Sequence, residues 1–314
     1  RYRTQAASKP TFGTAISLVD DPDAMAESLR NFGLLSMPLV WRDLEPKQGA
    51  FSFKALDKWL AWAAKTKTPV ILGPLVDVRD ASLPDWVKAL GNDYASLRDA
   101  MYDYMDAVVA RYVASVGIWK ISSGLHIVRD RPLKPTEMVD LTRTAVVLVR
   151  QYRRGARTMI ELDDLFGDLA AKRAGSLGAF EFLEKIRSEG IHLDCLGARL
   201  ILGGNEPSQR SRDLMMVSDR LDEFFHSDFP LLISACGVPS RATGPTAGRW
   251  GSAWSEDQQA AWASRIVPIA LSKPYVEAVV WSCHKDLKDS DGFGLLDHAG
   301  VPRPAHAKLM SMRR

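Results

Sequence analysis

Eight short apolar runs, at 12–18, 34–41, 69–73, 117–126, 157–163, 193–202, 230–237 and 276–283, alternate with stretches of helical character along this chain. No other feature narrows the fold as much. The runs are largely apolar throughout, as strands covered on both faces by helices are. The helical stretches lie at 20–32, 56–63, 93–114, 135–153, 180–188, 207–225, 256–271 and 303–312. Asp20, Asp21 and Pro22 open the first of them, a carboxylate cap followed by a proline in the first turn. Strand and helix repeated eight times predict an α/β fold, a single (β/α)8 TIM barrel, over a doubly wound sheet. Residues 1–10 have no periodicity and read as a lead-in arm, with 11–314 as the barrel domain.

Composition agrees with one large domain. The 314 residues are 46% hydrophobic and 25% charged, enough to bury a sizeable core. A net charge of +3 makes no electrostatic case for nucleic acid or an anionic membrane. No apolar run approaches the roughly 18–20 residues of a spanning helix, so membrane insertion is not expected. Cys195, Cys236 and Cys283 are odd in number and far apart, which favours structural thiols over a disulfide framework. The chain opens on Arg1 rather than Met and is read as a processed or trimmed piece. The longest irregular stretch, 238–255, follows the seventh strand and carries Trp250 and Trp254 with Arg241 and Arg249. On that face of a barrel a long loop points to function.

Several segments in series resemble the family 10 glycoside hydrolases, the xylanase-type barrels. Phe12-Gly13-Thr14-Ala15 is similar to the family's opening strand, and 41–53, from Trp41 through Glu45-Pro46 and Gly49 to Phe53, to its signature after strand two. Leu83-Pro84-Asp85-Trp86 resembles the Leu-Pro-x-Trp after strand three, and Arg111-Tyr112 the helix leading into strand four. Trp281, Gly294-Leu295-Leu296 and Pro302-Arg303-Pro304-Ala305 resemble the closing segments. The resemblance covers about the whole chain. It implies a barrel fold, a polysaccharide or oligosaccharide ligand and a secreted or periplasmic setting.

The chemistry departs from the family. Strand four there ends Trp-Asp-Val-Val-Asn-Glu, with the glutamate as general acid, whereas here Trp119 leads to Ser122-Ser123-Gly124. Strand seven there carries its nucleophile in Thr-Glu-Leu-Asp, whereas here Ser234-Ala235-Cys236-Gly237 stands. Retention at the sugar needs two carboxyl groups roughly 5–5.5 Å apart, one protonated and one ionised. Gly124 and Ala235 supply neither. The family's sugar-holding residues are replaced as well: its Glu, Asn and Lys by Ser36, Met37 and Val40, its strand-three His by Pro74, and its strand-six Gln and His by Arg199 and Ile201. No catalytic residue is therefore assigned, and the expected reading is a catalytically inactive barrel that binds a glycan or a partner.

Two alternatives stand beside it. Glu161, Asp163 and Asp77 are candidates for a relocated acid/base pair, against a structural reading in which they cap helices or pair with arginines. The chain also reads as a structural domain of a longer polypeptide, with other domains as its partners. For ligand contact the candidates are Trp86, Trp250, Trp254 and Trp281, whose rings suit sugar faces, with Arg199 and Arg241 suiting an anionic sugar. Cys236, Cys283, His284 and Asp286 are weighed as a metal or thiol site and set aside, since alternation turns Cys236 away from Ala235. The acidic run 286–292 lacks the later glutamate of a calcium loop and reads as a solvated turn. No metal or cofactor is expected. Lys120 is expected to pair with any glutamate restored at 124.

Overall fold

The computed structural model describes residues 10–242, 248–251, 253–288, 290 and 292–312, with Arg249 as backbone only. The lead-in arm expected over 1–10 lies, apart from Pro10, outside the described residues. Eight strands follow one another: β1 (Thr11–Ala15), β2 (Leu35–Met37), β3 (Val70–Leu72), β4 (Ile118–Ser123), β5 (Arg157–Leu162), β6 (Cys195–Ile201), β7 (Leu231–Gly237) and β8 (Val276–Trp281). They hydrogen-bond in chain order and β8 pairs in parallel with β1, so the sheet is a closed barrel. Helices lie between the strands, as the alternation predicts: α1 (Pro22–Leu29), α2 (Trp41–Leu44), α3 (Lys54–Thr66), α4 (Asp85–Lys88), α5 (Tyr94–Tyr112), α6 (Pro135–Tyr152), α7 (Ala179–Ser188), α8 (Leu214–Glu223), α9 (Glu256–Leu271) and α10 (Pro304–Ser311).

Local chemistry sets the helix starts. Asp93 accepts the backbone N–H groups of Ala95 and Ser96 at the head of α5, and Ser255 accepts that of Gln258 at α9. Proline occupies the first turn of α6 and of α10, where its missing N–H costs nothing. One expected helix is corrected. The stretch 207–225 is not continuous: a 3-10 turn at Pro207–Gln209 ends before α8, and a second turn, Phe224–Ser227, follows it. The Asp213 carboxylate accepts the N–H of Met216 and so begins a new helix inside the apolar periodicity.

Two compact units divide the chain. One comprises 18–26 and 37–196, with β3, β4, β5 and α2 to α7. Its sheet register sets Ile71 beside Ile118 and Ser123 beside Glu161, with a shift between Lys120 and Ser122. Trp41 stacks on Tyr104 with ring centres 4.7 Å apart and meets Trp86 edge to face. The other unit comprises 27–36 and 197–312 with residues 10–17, among the described ones. There Trp281 of β8 packs edge to face on Trp262 of α9, and Phe12, Phe32 and His284 form a ring cluster. The three cysteines form no disulfide. No helix of the described residues is long and apolar enough to cross a membrane.

Candidate functional site

Ser123 and Trp281 close β4 and β8, Gly73 and Asp163 directly follow β3 and β5, and Arg199 and Ala235 lie within the last three residues of β6 and β7. At the ends of β3, β4 and β5 the polar groups form a dense network. The Lys120 ammonium donates to both oxygens of Glu161, at 2.7 and 3.1 Å, and the Ser123 hydroxyl donates to Glu161 Oε2 at 2.9 Å. The Glu161 side chain is fully buried and that of Lys120 is 8% exposed. Asp77 is held bidentately by Arg79, at 2.8 and 2.5 Å, and also accepts the Arg79 backbone N–H. Asp163 accepts from Arg129 at 2.9 Å and from the N–H of Asp164 at 2.8 Å. The Asp77 carboxylate holds the Arg79 guanidinium still more firmly charged, with Glu161 and Asp163 adding to the effect.

Gly124 sits in the middle of these pairs. Its backbone is left-handed, with φ of 58°, a conformation that side-chain-bearing residues rarely adopt. A Cβ added there would stand 3.0 Å from Asp163 Cβ and 3.4 Å from its Oδ2. The cavity lined by Asp77, Arg79, Ser123, Gly124 and Arg129 has a volume of about 10 Å³, close to the smallest space that holds one water.

His126 ties the loops after β4 and β5 together. Asp163 N–H donates to its Nε2 at 3.2 Å, so Nδ1 carries the proton and donates to the Leu177 carbonyl at 2.9 Å. Acceptance at Nε2 needs the neutral ring, and burial lowers its pKa accordingly. Asp164, held at positive φ, accepts from the N–H groups of Leu169 and Ala170 and turns the same loop.

The end of β7 and β8 is built differently. Ala235 and Cys236 are buried, and burial pushes the Cys236 thiol up, away from the thiolate a nucleophile needs. The sugar-stacking expectation is corrected for two tryptophans. Trp281 is fully buried, donates to the Phe293 carbonyl at 2.8 Å and packs on α9, so neither ring face is open. Trp254 is 2% exposed, its indole occupying the space that a side chain at Gly203 would fill. Trp250 is half-buried, bonded to the Arg212 carbonyl, and has the Arg265 guanidinium 5.4 Å from its ring centre. Trp86 is half-buried and donates to the Glu45 carbonyl. Arg199 is half-buried and Arg241 exposed.

Asp286, expected in a solvated turn, is buried instead. It accepts from Arg303 at 2.6 Å and from the Gly294 N–H, which ties the end of β8 to α10. Asp289, Asp291 and the Arg249 side chain lie outside the described residues. His284 bonds Ser28 through Nε2, and burial lowers its pKa to about 3, with His306 and Lys285 adding to the effect.

The sequence profile of glycosyl hydrolase family 10 matches residues 4–290. The chain belongs to that family. Two relatives are similar in sequence. Endo-1,4-beta-xylanase B of Humicola insolens is 26% identical over 119 residues, 37% of this chain and 33% of the relative, so that match spans a third of the relative's length. Endo-1,4-beta-xylanase of Agaricus bisporus is 22% identical over 282 residues, 79% of this chain and 82% of the relative. Among solved structures, xylanase 10B from Thermotoga petrophila in complex with xylobiose superposes with a TM-score of 0.74 at 17% identity, covering 97% and 95% of the two chains. The Penicillium canescens endo-1,4-beta-xylanase XylE gives 0.73 at 15%, covering 96% and 94%. At these identities the superpositions establish the fold.

Sequence reasoning finds the carboxylates of this family 10 chain but not what neutralises them. Arg129 and Ser123 carry no signal of their own. Lys120 and Glu161 do: each is a charged residue inside an apolar run, and consecutive strands of a parallel barrel are neighbours. The expectation that Lys120 would serve a glutamate at 124 is overtaken by the partner already beside it on β5.

Proposed function

We propose that this chain is a catalytically silent family 10 barrel, retained for binding a polysaccharide or a protein partner rather than for cleavage. The observation that carries the reading is Gly124, aligned by its strand-four setting with the family's acid/base. Its left-handed backbone and the close approach of Asp163 make any side chain there costly. Ala235, at the nucleophile position, cannot form a glycosyl ester. A general acid must be protonated when the glycosidic oxygen leaves, and a nucleophile must be unencumbered. Glu161, Asp163 and Asp77 meet neither need, since each faces a cation within 3 Å. This weighs against relocated catalysis.

For a glycan ligand, Trp250 supplies the aromatic contact and Arg199 and Arg241 the polar contact on one unit, and Trp86 an aromatic contact on the other, because Trp254 and Trp281 are enclosed. The test is an assay of the full chain against xylan and an aryl β-xyloside, with a glycan array in parallel. The expected result is no turnover above buffer. Turnover at ordinary enzyme rates that disappears in Glu161→Gln or Asp163→Asn would overturn the proposal and establish relocated catalysis.

A further inference from the structure

Two open grooves lie on the chain's helical exterior. Grooves of about 490 and 600 Å³ flank α6 on either side. Arg143, Val147 and Gln151, four residues apart and so on one stripe of the helix, line both and form the crest between them. Val147 is 48% exposed at the middle of that crest, and Tyr102 of α5 opens into the first groove at 41%.

The two grooves differ in charge. Beyond the crest the first is lined by Asp99, Asp103 and Asp140 against the single cation Arg98. The second is lined by Arg150, Arg154 and His192 with no acidic residue. Some of this charge is spent locally: Arg98 bonds Asp140, Arg143 bonds Glu189, and Arg150 bonds Asp194. Arg98 also lies 3.8 Å from Asp99. The charge left over is negative on one side, at the exposed Asp103, and positive on the other, at the exposed Arg154.

We propose that this face is the interface of a homodimer. Two copies meeting crest to crest about a two-fold axis that runs along α6 set each acidic groove against the other copy's basic groove. Val147 then meets its own image at the centre. An axis across the helix would set like charge against like, so the charges select the parallel pairing. One surface serves both copies, as an isologous contact requires. The proposal does not depend on the catalytic reading.

The test is sedimentation velocity of the full chain over about 1–100 μM, at low and high salt. The expected result is a dimer that loosens as salt rises. Val147→Asp, an exposed helix position, is expected to leave only monomer. Asp103→Arg and Arg154→Asp are each expected to weaken association about tenfold or more, and their combination to bind tighter than either. A wild-type chain that stays monomeric across the range overturns the proposal. So does a Val147→Asp chain that dimerises like wild type, or a combined variant no tighter than the single ones.

Discussion

The ends of β4 and β5, beside Gly124, and the ends of β7 and β8, beside Ala235, are filled in opposite ways. The first region is saturated with charge. Lys120, Arg79 and Arg129 answer Glu161, Asp77 and Asp163, so each of these three carboxyl groups faces a cation. In the second, among the described residues, Ala235, Cys236, Trp281 and Trp254 are packed as core, and the buried Asp286 is spent on Arg303. On the reading proposed above, a carboxylate site is erased by neutralisation in one region and by apolar volume in the other. The first way keeps polar side chains that look functional in a sequence. The second leaves aromatic residues that resemble ligand platforms until their burial is known.

The sharpest way to break this comparison is to remove one charge from the first region. Glu161→Ala strands a buried ammonium and is expected to cost about 3–5 kcal/mol in urea unfolding, whereas Lys120→Met with Glu161→Leu together should cost far less. A loss below about 1 kcal/mol for Glu161→Ala would mean that the pair is solvated and the region not saturated.

Acid tests both regions at once, because each holds a buried neutral histidine. The folded-state pKa values of His126 and His284 are lowered, so the unfolded chain binds more protons than the folded one below the ordinary histidine value. Their contribution is complete above about pH 6.5 and is lost as pH falls from there, for His284 down to about 3. Chemical unfolding at a series of pH values should show stability falling by about 1.4 kcal/mol per pH unit for each histidine in its window. His126→Asn should flatten part of that slope. An unchanged slope in this variant would show that the loop tie at His126 does not depend on a neutral ring.

The smallest effect expected is at Gly124. Gly124→Ala should cost about 1–2 kcal/mol, from the left-handed backbone and the approach to Asp163. Gly124→Glu with Ala235→Glu should remain inactive on aryl xylosides. A neutral Gly124→Ala, measured by thermal and urea unfolding, would show that the backbone tolerates a side chain there and that only the carboxylate had been lost.

The barrel was legible in the sequence because the burial of a strand on both faces writes itself as a continuous apolar run, and eight such runs leave few ways to close a sheet. That Gly124 and Ala235 carry no carboxyl group needs only residue identity. The break in the 207–225 stretch was missed because a side-chain cap at Asp213 competes with an uninterrupted periodicity. Only the tertiary structure decided what the remaining polar and aromatic groups are for. Trp254 and Trp281 differ from Trp86 and Trp250 in burial, which depends on what packs over them and not on the residue itself. Glu161 is a catalytic candidate or a structural ion depending on whether an ammonium lies about 3 Å away, and that distance is set by the register of β4 against β5. The charged crest of α6 is a surface only because α5 and α7 leave grooves beside it, a matter of helix packing that no local pattern encodes.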